Sequence, residues 1–399
     1  ATTLVGQSVG AGRQVLARRF AWINTFLGTD ISEADMLSYF DRLCLAYDAE
    51  KREVIVPTYR QDLEAEADIA EEVARMFGYD EIPTTLPRGE ATMGGLPEDL
   101  RIQAQLGEVA EYCGFSQAMS YSFESPKVFD RLRIPADDPA RKAIVISNPL
   151  GEDFSVMRTL PLNGLLSSLS RNYNRRNKDV RLYELARVYI PKTLPVTELP
   201  DEKIMMTLGF YGNGDFFDMK GVCEEMLAKL GMKKKLICDP RGDLPFLHPG
   251  RQAEAVYDGV DIGYLGEVHP ETADAYKIGG RVYVAVLDVA AIMPMVDMNI
   301  TYEGIASYPE ITRDLSMVAD SSVNVGTIEE IIEKNAGQYL ESFRLFDVYE
   351  GGNISKGKKS VAYSLVFRAK DRTLEDGDVS GPIEKILSEL EKIGIELRR

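Results

Sequence analysis

Cysteine, histidine and long apolar runs are all scarce in this chain, and each scarcity excludes something. The four cysteines, Cys44, Cys113, Cys223 and Cys238, lie far apart among 399 residues, with no CxxC pair. That spacing excludes a disulfide framework or a zinc knuckle as the organising feature and suits a reducing cytoplasm. Only two histidines occur, His248 and His269, so metal centres built on several imidazoles lack ligands. The longest apolar stretches, Val282 to Val289 and Ile292 to Val296, are broken by Asp288 and Pro294. Neither nears the roughly 20 residues of a membrane span, so no membrane partner is expected. The N-terminus lacks a basic segment followed by an apolar run, the mark of export, and it opens at Ala1 without an initiator Met, as a fragment would. Bases are outnumbered too: 46 Lys and Arg face 63 Asp and Glu, for a net charge of −17. A general nucleic-acid binder carries a basic face, so this balance argues against that role for the chain as a whole. A local RNA contact made by one module survives the objection.

What is present reads as a soluble protein with several cores. Hydrophobic residues make up 45% and charged residues 27%, and the length suggests two to three domains. Residues 1–85 form a small mixed module. Ala17 to Leu27 has helical apolar spacing and stops at Gly28; Ser32, three residues before Asp35, starts a helix reaching Leu43. Glu53 to Tyr59 reads as a strand, and Asp68 to Phe77 as a helix closed by Gly78. Residues 86–97 lie in a stretch rich in proline and glycine and form a linker.

Residues 98–300 form the longest unit. A helix over Leu100 to Cys113 is followed by strands at Ala118 to Phe123, Ala143 to Ser147, Val180 to Tyr189 and Ile204 to Tyr211. A helix at Asp218 to Leu230 precedes a hairpin over Val256 to Val268, with turns at Asp258-Gly259 and at Asp261 to Gly263. Residues 301–399 run strand, helix, strand, strand, helix, strand, the ferredoxin-like split motif. The fold class is therefore α+β, with an antiparallel central sheet.

Four ordered blocks carry a family resemblance across essentially the whole chain: Val56 to Pro83, Ser147 to Leu165, Leu247 to Pro270, and Ser307 to Leu315 with Leu345 to Lys359. In these the chain resembles the C-terminal half of the beta subunit of bacterial phenylalanyl-tRNA synthetase. The resemblance implies a class II synthetase-like sheet domain without an active site, followed by a ferredoxin-fold anticodon-binding domain. It further implies a subunit of phenylalanine–tRNA ligase, working in a cytoplasmic α2β2 heterotetramer whose alpha subunit binds ATP and phenylalanine. The chain alone should not activate phenylalanine, and the family's editing domain lies outside it. Tyr183-Glu184-Leu185 resembles part of a class II phosphate-binding element, yet no glycine-rich segment ending in arginine follows.

Asp68, Glu71 and Glu72 stand at i, i+3 and i+4 of a helix and so share a face, with Asp62 six residues ahead. Hard oxygen ligands of this kind suit Mg²⁺. Asp68 followed by Glu71 is equally a capping box, and on residue types alone capping is the commoner reading. The resemblance implies that Asp62, Asp68, Glu71 and Glu72 hold a magnesium ion shared with the alpha subunit. In the terminal domain it implies that Tyr349 and Ser360 face the tRNA(Phe) anticodon. Arg313, Lys356, Lys358 and Lys359 are further candidate RNA contacts, with aromatics stacking on bases and cations meeting phosphates. His248, His269 and Arg158 read as turn, interface or packing residues rather than catalysts. Two rival readings stay open: a free-standing protein-binding scaffold, and an independent ligase with a rewritten active site.

Overall fold

A computed structural model describes residues 13–15, 20–91, 93–240, 242–302, 304–351 and 354–398. They fall into two compact units, 1–95 and 96–399.

In the first unit, strands β1 (Arg13–Val15), β2 (Ala46–Asp48) and β3 (Glu53–Val56) form a sheet ordered β1-β3-β2. Helices α1 (Phe20–Leu27), α2 (Glu33–Arg42) and α3 (Glu66–Phe77) supply its apolar faces. The expected first turn of α1, residues 17–19, lies outside the described residues. Helix α2 begins as read: the Asp35 amide donates to the Ser32 hydroxyl at 3.1 Å. Ile23, Met36, Phe40, Val54, Val56, Ile69 and Val73 close into one core. Helix α3 starts two residues earlier than its apolar periodicity indicates and ends at Gly78, whose φ of 110° favours glycine.

The second unit is built on a seven-stranded sheet. Its strands are β4 (Ser116–Gln117), β7 (Val180–Ile190), β8 (Asp201–Tyr211), β9 (Ile237–Asp239), β10 (Leu247–Tyr257), β11 (Val260–Val268) and β12 (Val282–Asp288), ordered β4-β7-β8-β12-β11-β10-β9. Strands β5 (Phe123–Glu124) and β6 (Val156–Met157) pair separately. Among the described strands only β4 runs parallel to its neighbour. Helices α4 (Glu98–Tyr112) and α6 (Phe216–Lys229) cover one face; α5 (Leu162–Asn174) and the short α7 (Pro270–Ala275) lie on the other. Strand β12 shows why its sequence is apolar throughout: Tyr283, Ala285 and Leu287 enter one core while Val282, Val284 and Val286 enter the other.

Three expectations are corrected here. Residues 118–122 form no strand, because Met119 and Tyr121 stand in solvent. Residues 143–147 contribute a single bridge, Val145 to Val156. The hairpin turns at Asp258-Gly259 (φ 51° and 78°) as read, but residues 261–263 run on as strand, opposite a register shift between Ala255 and Val256.

The C-terminal portion follows the expected order: β13 (Ile311–Asp320), α8 (Val325–Asn335), β14 (Leu340–Tyr349), β15 (Lys358–Phe367), α9 (Asp376–Glu391) and β16 (Glu396–Leu397). The sheet order is β14-β15-β13-β16, all antiparallel. Both helices pack on one face, around Leu315, Met317, Ile328, Tyr363, Leu365 and Ile386.

Candidate functional site

Strand register decides which side chains the terminal sheet presents. Tyr349 pairs with Ser360, and Ser360 with Val318, so the three share one row. The next odd row holds Met317, Val361 and Val348, of which Met317 and Val361 are core residues. Tyr349 therefore lies on the face opposite the helices, and it is 43% exposed. Ser360 is on that face but buried, its hydroxyl 3.4 Å from the Arg398 guanidinium. Lys358, two residues along β15, shares the face; Lys356 is exposed in the preceding turn. Lys359 alternates to the other side and donates to the Ser321 carbonyl at 3.1 Å. Arg313 is in the row of Leu365 and Phe343, on the helix side, and pairs with Asp376 at the start of α9. Tyr349, Ser360 and Lys358 are thus brought together, and Arg313 is not. Arg398 escaped the sequence reading because only the fold of β16 beside β13 carries it over Ser360.

The acids of the first unit are otherwise occupied. The Asp68 carboxylate accepts the amides of Glu64 and Ala65 at 2.6 and 2.7 Å, capping α3. Glu72 is buried between Arg60 and Arg75, at 3.0 and 2.7 Å. Burial would raise its carboxyl, but hydrogen bonds from Arg60 and Arg75 outweigh that and hold it below the usual range. Arg60 also reaches Asp62 at 2.6 Å, and that hydrogen bond lowers the Asp62 carboxyl. Glu71 is exposed on the outer face of the helix. Among the described residues no three His, Cys, Asp or Glu side chains gather as metal ligands. Two guanidiniums already neutralise Glu72, and one Asp68 oxygen, Oδ2, accepts both amides. So placed, Asp62 and Glu72 are committed to guanidiniums, and the four acids are not gathered around one point.

A third polar cluster lies within the central sheet domain. Arg158, only 3% exposed, places Nη1 at 2.9 Å from Glu184 and 3.0 Å from the Ser120 hydroxyl, and its Nε donates to the Arg187 carbonyl at 2.6 Å. Ser120 Oγ donates to the other Glu184 oxygen at 2.6 Å. Beside this pair, buried Glu124 accepts from Asn163 at 3.0 Å, and Asn163 accepts from Tyr276 at 2.8 Å. Desolvation pushes the Glu124 carboxyl up to about 7. A guanidinium bonded on several sides by its own protein has little left to offer a nucleotide phosphate. The histidines are local caps: His248 Nδ1 accepts from Gly250, and His269 Nδ1 from Glu271 at the start of α7.

Comparison with known proteins agrees with this anatomy. Residues 82–289 match the family described as the phenylalanyl tRNA synthetase beta chain CLM domain. Residues 306–398 match the ferredoxin-fold anticodon binding domain, and 17–79 the tRNA synthetase B5 domain. The phenylalanine–tRNA ligase beta subunit of Clostridium acetobutylicum is 39% identical over 382 residues, which is 95% of this chain and 48% of that one. That of Clostridium tetani is 40% identical over 380 residues, 94% of this chain and 48% of the relative. The chain thus spans about half the length of the curated relatives it matches. Among solved structures, pyrrolysyl-tRNA synthetase from Desulfitobacterium hafniense aligns at TM-score 0.40 with 15% identity, covering 49% of this chain and 68% of that one. With more than half of its residues inside one family-defining domain, the chain belongs to the phenylalanyl-tRNA synthetase beta chain family.

Proposed function

We propose that this chain supports the charging of tRNA(Phe) without catalysing it, reading the anticodon with its terminal sheet and packing against a catalytic alpha subunit. ATP and phenylalanine, in this reading, are held by that alpha subunit, in a cytoplasmic assembly. The observation that carries the proposal is the helix-free face of the terminal sheet. There Tyr349 offers an aromatic ring beside a buried hydroxyl, the half-buried Lys358 and Arg398. Unpaired anticodon bases are read by such platforms, through stacking and contacts to base edges. The buried Arg158–Glu184 pair supports the non-catalytic half of the reading. Magnesium enters no step of this reading, in which Asp62 and Glu72 are held by guanidiniums.

The test is titration of a fluorescent tRNA(Phe) anticodon stem-loop with the chain. Stacking is worth roughly 1–3 kcal/mol per base, so Tyr349→Ala should weaken binding by about fivefold to a hundredfold. Equal affinity of parent and variant would remove the ring from the interface.

A further inference from the structure

In the terminal domain acids outnumber bases. Over residues 306–398, 17 acids face 12 bases. Arg313 is held by Asp376, Arg368 by Glu310 and Glu341, and Arg372 by Asp378. A chain of net charge −17 repels a polyanion, and affinity for RNA depends on neutralising phosphates. Further unpaired cations elsewhere in the chain would add to that neutralisation.

The central sheet domain has such a source. From Ser170 to Lys178, across the end of α5 and the turn into β7, four of nine residues are basic and none is acidic. Arg171, Arg175, Arg176 and Lys178 are all exposed. Among the described residues their side chains make no ion pair or hydrogen bond, although salt bridges are frequent elsewhere in the chain. Cations near a helix C-terminus favour its dipole, yet none of these side chains reaches a terminal carbonyl. Asp179, the next acid, accepts from Asn213 at 3.2 Å.

The platform beneath them is rigid. Ser170 donates to the Tyr276 carbonyl, Tyr211 donates to the Asn177 carbonyl at 2.9 Å, and Tyr173 packs edge-on against Tyr211. The turn between α7 and β12 sits against Tyr173, whose hydroxyl is 3.0 Å from where a side chain on Gly279 would begin. It carries two more exposed bases, Lys277 and Arg281. Arg281 is 3.8 Å from Glu267, which Arg251 already binds at 3.1 Å. Asp274 is also exposed on this side and pairs with none of these cations.

We infer that this basic end of the central sheet domain, Arg171, Arg175, Arg176 and Lys178 flanked by Lys277 and Arg281, is a second RNA contact that grips phosphodiester backbone without reading sequence. Arginine forks match phosphate oxygens in pairs, and exposed cations on a fixed platform suit a helical backbone better than single bases. The inference rests on the proposed binding of tRNA by this chain, and it assigns the electrostatic share of that binding to a separate surface.

The experiment is fluorescence anisotropy of the whole chain with a labelled tRNA(Phe) transcript and, separately, with its anticodon stem-loop, across a salt series. The variants are Arg171→Gln/Arg175→Gln/Arg176→Gln/Lys178→Gln combined, the three arginines changed to lysine, and Tyr349→Ala. The neutral variant should bind the transcript at least tenfold more weakly near physiological salt. Its log–log salt slope should shrink by about three, from four lost phosphate contacts. Lysines should retain the slope, and anticodon stem-loop binding should not change. An unaltered slope for the neutral variant would overturn the inference while leaving the anticodon reading intact. Loss in the neutral variant with no effect of Tyr349→Ala would uphold it and sink the anticodon reading. If parent chain and variants all fail to bind either RNA, both fall. Should salt-sensitive self-association, seen by sedimentation and lost in the neutral variant, accompany unchanged RNA binding, the surface serves an acidic protein face instead.

Discussion

Individual side chains in the central domain show how burial reassigns residues that look available in sequence. Arg158 reads in sequence as a packing or subunit-contact residue, and its partners show which: Glu184 and Ser120 consume it. Removing Glu184 would strand a buried guanidinium, and breaking such pairs costs about 3–5 kcal/mol. Glu184→Ala should therefore lower the urea unfolding free energy by about that much, with the double variant Arg158→Met/Glu184→Met recovering most of it. Equal stability of parent and Glu184→Ala would show that the pair contributes nothing. Glu124 leads to a pH prediction. Its folded carboxyl titrates at about 7 against an ordinary value of 4.5, with desolvation as the main cause. Between those values the folded state binds more protons than the unfolded one, so stability falls as pH rises from 4.5 to 7. The fall amounts to about 3 kcal/mol at most. Glu124→Gln should flatten that segment of the stability–pH curve and be the more stable protein at pH 8. A curve of parent shape would refute the assignment. Nothing in the sequence around Glu124 signals this shift, because the burial that causes it exists only in the fold.

At the scale of elements, periodicity is a good guide wherever one face of a segment is buried by its own domain. Helices α2, α3, α8 and α9 and strands β7, β8, β14 and β15 stand where alternation or helical spacing puts them. The failures share one cause. Met119 and Tyr121 alternate like an amphipathic strand, yet they are 89% and 74% exposed, and the flanking backbone of Ala118 and Ser122 pairs with Tyr183 and Arg158 instead. Apolar spacing records that a face is to be covered, not which element covers it. Gly164 makes the same point inside a helix. A helix-interior glycine exchanged for alanine normally stabilises by about 1 kcal/mol. Here the new methyl carbon would stand 2.0 Å from Ser120 Oγ and 2.5 Å from Ser120 Cβ. Gly164→Ala should destabilise by about 1–3 kcal/mol, as overpacking does, with chemical denaturation as the measurement. A gain in stability would mean that the Ser120 loop yields freely.

For the whole molecule, the division into two units has a direct consequence. Residues 83–95 carry no described helix or strand, and Leu86 and Met93 are 87% and 100% exposed. Brief tryptic digestion should cut first after exposed Arg88, leaving a stable fragment that begins at Gly89 and is identified by mass spectrometry. First cuts inside β7–β12 would contradict a well-packed second unit. The chain alone should also give no ATP–pyrophosphate exchange above a mock preparation, in keeping with an arginine sealed by its own glutamate. Within the second unit, Lys235 pairs with Glu329 of α8 and lies over the Phe343 ring, linking the central sheet domain to the terminal one.

The sequence by itself determined the α+β class, the order of the terminal β-α-β-β-α-β motif, the family blocks and the lack of any membrane-length apolar run. All of these are local patterns or ordered motifs, and a pattern of that kind survives without coordinates. Only the tertiary structure decided the fate of the polar residues. It turned Arg313 to the helix side, covered Ser360 with Arg398, and tied Glu72 to two arginines. It also left Arg171, Arg175, Arg176 and Lys178 without acids in an acidic chain. A charge acts through its distance to other charges and to water, and those distances span residues that the sequence holds far apart.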